Sequence, residues 1–184
     1  MRNAMLASAA DVVSFWQKAG PDRWFKKDAA FDEEIRGRFL ATHETAAAGQ
    51  LSGWEQSAEG SLALLILLDQ FPRNMFRGDA RTFATDPLAR AIAAGAIVHG
   101  FDGQVPKELR NFFYLPFEHS EDLADQERCI AFNKAAGDTE NLKWAEIHAD
   151  IIRRFGRFPH RNAVLGRSTT AEEQAFLDSG GFAG

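Results

Sequence analysis

Apolar residues recur along most of this chain at helical spacing. Phe31, Ile35 and Phe39 repeat at four-residue steps, and so do Leu88, Ile92 and Ala96. Trp144, Ile147, Ile151 and Phe155 form a third stripe at three- and four-residue steps. Residues that start and stop helices bracket these stripes. Ser8 with Asp11 reads as a capping box, and Gly20-Pro21 ends that first helix, whose apolar side is Val12, Val13, Phe15 and Trp16. Asp28 caps the Phe31 helix and Gly49 stops it. Ser52-Gly53-Trp54-Glu55 is a full capping box, expected to open a helix through the run Leu62 to Leu68. That run is apolar all round, which places it at the centre of the fold. A buried strand would show the same run; the cap upstream and the Leu and Ala content select helix.

Asp86 before Pro87, Ser120 and Thr139 are the expected caps of three later helices. Pro106 starts a short one through Phe113, and Pro116 must end or kink it. Gly156 closes the Trp144 helix, and Thr170-Ala171-Glu172-Glu173 is a last capping box. The pattern predicts an all-α protein of about eight helices with no strand. It forms a single domain over residues 1–184, in which the glycine-rich tail 180–184 has no feature that would order it.

Composition narrows the classes. With 45% apolar and 26% charged residues the chain is an ordinary globular protein. Its 21 basic and 26 acidic residues give a net charge of −5, which argues against nucleic acid as a partner, because duplex binding runs on neutralised phosphates. The apolar run Leu62 to Leu68 is far short of the roughly 20 residues that cross a bilayer. The opening Met1 to Ala10 mimics a cleavage site without the apolar stretch a signal peptide needs. Cys129 is the single cysteine and cannot close an intrachain disulfide. The expected location is the cytoplasm, with no membrane partner.

Three clusters carry chemistry. The first, Asp69-Gln70-Phe71-Pro72-Arg73-Asn74, emerges from the end of the most apolar helix. Asp69 and Gln70 can satisfy helix-end groups, with Arg73 paired to Asp69, but a turn after proline can also aim Arg73 and Asn74 at a ligand. The second runs from Tyr114 through Glu118, His119, Ser120, Glu121 and Asp122. A helix start accounts for Ser120, Glu121 and Asp122, and leaves Glu118 and His119 as acid–base or metal-binding material. The third, His148 to Asn162, holds Arg153, Arg154, Arg157 and Arg161 with His148 and His160, and Asp150 is its one acid. Arginines suit carboxylates and phosphates bidentately; salt bridges to the acidic stretch Glu118 to Glu127 are the alternative. His148 falls on an apolar face, where a hydrogen-bonded core histidine is the commoner outcome. Trp24, in the loop Trp24-Phe25-Lys26-Lys27, covers the core or edges a pocket. Phe71-Pro72-Arg73-Asn74 is echoed by Phe158-Pro159-His160-Arg161-Asn162.

In this order the blocks Leu67 to Gly78, Tyr114 to Glu121 and Gly156 to Asn162 resemble the signature blocks of the domain of unknown function family 924, small proteins best represented in bacteria. The likeness runs from Val12 to the Thr170 helix. It implies a tetratricopeptide-like fold, antiparallel helix pairs stacked in a right-handed array, and no established activity. The chain departs at Glu118, where the family's second block more often has Met before the histidine.

Three functions fit. The first is a binding module whose candidate ligand residues are Asp69, Gln70, Arg73, Asn74, His119, Glu121, His148, Arg157, His160, Arg161 and Asn162, with Tyr114, Glu118 and Trp24 at its edge. Its expected ligand is an anionic small molecule or peptide. The second gives the motifs a purely structural role in a protein-interaction domain. The third is an acid–base or metal-assisted hydrolytic enzyme, which needs a base and a carboxylate within reach of one another in a pocket. No His-Glu-x-x-His, glycine-rich phosphate loop, Gly-x-Ser-x-Gly or cysteine pair occurs, so no cofactor or metal is expected.

Overall fold

The computed structural model describes residues 6–182. The first five residues, which open the segment compared above with a signal peptide, and Ala183 and Gly184 of the tail lie outside the described residues. As the periodicity predicts, the described residues are helical and contain no strand. In chain order the α-helices are α1 (Ala9–Ala19), α2 (Pro21–Trp24), α3 (Ala29–Ala47), α4 (Ala58–Leu65), α5 (Phe71–Met75), α6 (Asp86–Val98), α7 (Leu115–Glu118), α8 (Leu123–Ala136), α9 (Thr139–Phe155) and α10 (Ala171–Asp178). None of them is long and apolar enough to cross a membrane. Contacts gather into two compact units, Met1–Arg77 with Arg81–Pro116, and Gly78–Ala80 with Phe117–Gly184.

In the first unit α4 is central, packing against α1, α6 and the 3-10 turn Ser52–Gln56. Every residue from Leu62 to Leu68 is buried. Trp16 joins this core to the rings around it. It lies 5.5 Å from Phe71, 5.8 Å from Phe112 and 6.2 Å from Phe31, centroid to centroid. Ser8, Asp28 and Thr170 cap as their sequence contexts predict.

Ser52 does not open α4. The helix starts at Ser57, whose hydroxyl accepts from the Gly60 amide, and residues Ser52–Gln56 form a separate 3-10 turn folded back over the first helical turn. Gly60 permits this closeness: a Cβ there would sit 2.1 Å from the Trp54 carbonyl oxygen. Thr85, Asp122 and Asp138 likewise occupy the N-caps expected of Asp86, Ser120 and Thr139. Asp86 lies one residue inside, where its carboxylate is taken by Arg73. Ser120 instead bonds Asp125 and the Asp122 amide.

Between α4 and α5 the chain widens into a π turn, Ile66–Gln70. Pro72 accounts for it. Proline has no N–H for the Leu68 carbonyl and its ring crowds that carbonyl. The Phe71 amide reaches back to Ile66 O, and Pro72 has no N–H to offer either Leu67 O or Leu68 O. Side chains supply them: His43 Nδ1 lies 2.8 Å from Leu67 O, and Thr85 Oγ1 donates to Leu68 O at 2.5 Å. Burial holds the His43 imidazole below its ordinary pKa of 6.5, against the opposing pull of Leu67 O. A neutral ring carrying its proton on Nδ1 fits this bond.

In the second unit α8 and α9 are joined through Gly137 and Asp138 and pack along each other. Ile151, Ile152 and Phe158 form a core closed by Ile147, Phe155, Phe176 and Phe182. Of the tail, Gly181 N donates to Phe176 O at 3.0 Å and the Phe182 ring lies 4.5 Å from that of His148.

Candidate functional site

The first motif block is built around carboxylates. The Arg73 guanidinium closes on Asp86 with two bonds of 3.1 and 3.0 Å, donates to the Asp69 carbonyl, and lies 3.4 Å from the Asp69 carboxylate. Asn74 Nδ2 donates to Asp32 at 2.8 Å, and Arg77 grips the same carboxylate through Nε and Nη2 at 2.6 and 3.1 Å. Gln70 Nε2 donates to Asp69 at 2.6 Å. Arg73 and Asn74, which the sequence left able to aim at a ligand, are both engaged by carboxylates of the chain, Asn74 buried and Arg73 partly buried. Trp24 is buried against Trp16 with its Nε1 on Trp16 O at 2.7 Å, and Tyr114 is buried with its hydroxyl on Asp102 at 2.7 Å.

The second and third blocks meet in the second unit. Glu121 Oε1 accepts from the Phe158 amide at 2.8 Å, and Arg167 embraces Glu121 with bonds of 2.7 and 3.0 Å. Burial works against ionisation of Glu121, but the Arg167 bonds and the Phe158 amide outweigh it and hold the carboxyl below its ordinary 4.5. Arg167 also reaches Phe158 O and Asn162 Oδ1. Asn162 Nδ2 donates to Glu173 at 3.1 Å, and Arg157 closes on Glu173 bidentately at 2.6 and 2.8 Å. The Arg157 bonds, helped by the Thr170 amide and opposed by burial, bring the Glu173 carboxyl down to about 2. Arg161 is buried, lies 4.6 Å over the Phe158 ring and donates to His119 O at 3.0 Å. His160 is half-buried, its ring 5.7 Å from Phe158 and 5.4 Å from Phe182.

The basic run thus finds acids, but not those expected from sequence alone for Arg154 and Arg157. Their partners are Glu172 and Glu173 of α10. Glu121, inside the expected acidic stretch, belongs to Arg167. Asp32, Asp86, Arg167 and Glu173 escaped the sequence reading as site residues, although the capping box already marked Glu173. Gln126 escaped it as well. Fully buried, it donates 2.6 Å bonds to both Glu118 O and Ser120 O and so closes the end of α7.

Glu118 and His148 place a carboxylate beside an imidazole. Both are buried, with Glu118 Oε1 3.5 Å from His148 Nδ1, but Nδ1 lies nearer Trp144 O, at 2.9 Å. Cys129 Sγ is 4.0 Å from Glu118 Oε2. Burial, and then the charge on Glu118, push the Cys129 thiol up, so it stays protonated and weakly nucleophilic. Among the described residues no group of three His, Cys, Asp or Glu could hold a metal ion. A cleft of 330 Å³ does occur, in the first unit, and it is lined by residues of α1, α2 and α3 and by none of the candidate residues above.

Residues 12–181 match the family model described as a bacterial protein of unknown function, DUF924. Among solved structures the chain is similar to ATU0120, a protein of unknown function from Agrobacterium tumefaciens. The two are 56% identical with a TM-score of 0.90, over 93% of this chain and 97% of that one. No curated protein matches.

Proposed function

The chain belongs to the DUF924 family, and from that starting point we propose that it is a helical binding module whose motif blocks form its internal frame and not its ligand clamp. One observation carries the reading. The Arg157 guanidinium, one of the candidate ligand residues by sequence, already closes bidentately on Glu173, which Asn162 shares. The Nε–Nη2 edge is thus spent on a carboxylate that is itself 2% exposed, and Nη2 also reaches Ser168 O, so the edge best shaped for a bidentate anion is filled from within the chain. Arg167 closes in the same two-bonded way on Glu121, which is partly exposed, and Arg73 on the buried Asp86. Each of these clamps joins segments far apart in sequence, which is what a frame must do.

The test compares the parent with an Arg157→Ala, Arg161→Ala variant in thermal unfolding, against phosphate, small carboxylates, acidic peptides and divalent metals. The frame reading expects a lower Tm for the variant and the same ligand responses as the parent. A variant that keeps its Tm and loses a response to phosphate or carboxylate would place the clamp back at the motifs.

A further inference from the structure

We propose that the cleft walled by α1, α2 and α3 binds a small organic anion, a carboxylate or phosphate monoester. This inference rests on the frame reading, which leaves the motif arginines engaged elsewhere. The cleft's 330 Å³ falls at the small end of the roughly 300–1,000 Å³ typical of small-molecule sites. Lys18 from α1, Arg23 from α2 and Arg38 from α3 line it, one cation from each helix. Behind these cations lie two stacked rings, the half-buried Phe15 and the fully buried Phe31, with centroids 5.7 Å apart and planes 18° apart.

The two guanidiniums cover these rings, Arg23 at 4.1 Å over Phe31 and Arg38 at 4.5 Å over Phe15. A guanidinium resting on a ring face has one face satisfied and presents its N–H edge sideways, the geometry a carboxylate or phosphate accepts. The acids near them hold weakly. Glu34 lies 3.3 Å from Arg38 and Asp28 3.6 Å from Arg23, each by one contact between side chains that are 37–52% exposed. Such pairs contribute little, so a bidentate anion can replace them. Asp11, the other acid of the cleft, is held by the Ser8 amide and hydroxyl at 2.9 and 2.6 Å. Lys18 is exposed and makes no ion pair among the described residues. These loose pairs are the reverse of the closed forks at Arg157 and Arg167. Exposed arginines elsewhere, such as Arg36 and Arg153, are as loosely paired, but here three cations line one cleft and can exchange partners together.

Calorimetric titration tests the site with phenyl phosphate, benzoate, inorganic phosphate and benzyl alcohol. The proteins are the parent, Lys18→Met, Arg38→Met, and Lys27→Met as a control outside the cleft. The expected result is binding of phenyl phosphate or benzoate, weaker binding of inorganic phosphate and none of benzyl alcohol. Each cleft variant should bind about tenfold more weakly, the loss expected from one charge-assisted contact, while the control matches the parent and Tm stays unchanged. Equal affinity in the parent and both cleft variants overturns the site, and so does no binding of either organic anion. Binding that survives both cleft variants but disappears in Arg161→Ala at unchanged Tm overturns the site and the frame reading together.

Discussion

Asn162 repeats in the second unit what Asn74 does in the first: each follows a Phe-Pro turn and donates its amide to a carboxylate that an arginine already grips with two bonds. The triads are Arg77–Asp32–Asn74 and Arg157–Glu173–Asn162. The echo between the two Phe-Pro segments is therefore structural. Both segments use asparagine, which donates without adding charge, to fill the lone pairs the arginine leaves.

Replacing Asn74 with alanine removes its hydrogen bond to Asp32; replacing Asn162 removes its bonds to Glu173 and Thr169 and the one it accepts from Arg167. The expected cost is about 1.5–3 kcal/mol for Asn74→Ala and at least as much for Asn162→Ala. Urea unfolding of Asn74→Ala and Asn162→Ala measures it. Asparagines serving only to orient a ligand would leave the midpoint where it is.

The π turn gives a second expectation. Thr85→Val keeps the shape and removes the hydroxyl that satisfies Leu68 O. An orphaned buried carbonyl costs about 1–3 kcal/mol, to be read as a lower Tm. A variant as stable as the parent would show that the carbonyl finds another donor, and that Pro72 does not make this threonine necessary.

Gly60→Ala places a methyl group 2.1 Å from the backbone oxygen of Trp54. Backbone on both sides leaves little room to yield, so the substitution should cost about 1–3 kcal/mol, although alanine is intrinsically the better helix former. A more stable Gly60→Ala protein would mean that the Ser52–Gln56 turn is not seated on α4.

Acid should act in two stages. His43 is held below 6.5 by burial, so its unfolded form takes up a proton first and stability begins to fall as pH drops through 6.5. Glu173 is held at about 2 against an ordinary 4.5; its contribution is complete above 4.5 and is lost as pH falls from there toward 2. Tm measured against pH for the parent and Glu173→Gln separates the stages. The variant should show a shallower slope below pH 4.5 and the same slope above it. Parallel curves throughout would mean that Arg157 does not hold this carboxylate.

Much of this fold is legible in the sequence because helices announce themselves locally. The caps Ser8, Asp28 and Thr170, the stop at Gly156 and the buried run Leu62 to Leu68 can all be read within a few residues of themselves. Ser52 misleads for the same reason. Its Ser-x-x-Glu pattern is a valid local signal, overruled by the packing of Trp54 on Gly60. At the candidate site the positions are legible and the partners are not. Arg73, Asn74 and Arg157 stand out, yet Asp86, Asp32 and Glu173 lie 13, 42 and 16 residues away, and no local pattern pairs them. An arginine in a motif looks the same whether it awaits a ligand or closes on an acid of its own chain.

The most direct measurement is a double-mutant cycle on Arg157 and Glu173, read by urea unfolding of the parent, Arg157→Ala, Glu173→Ala and the double variant. If the pair is an internal lock, both single variants lose stability and the double variant loses little more than the worse of them. If the two losses simply add, the residues act independently, Arg157 is available to an outside anion, and the frame reading is wrong.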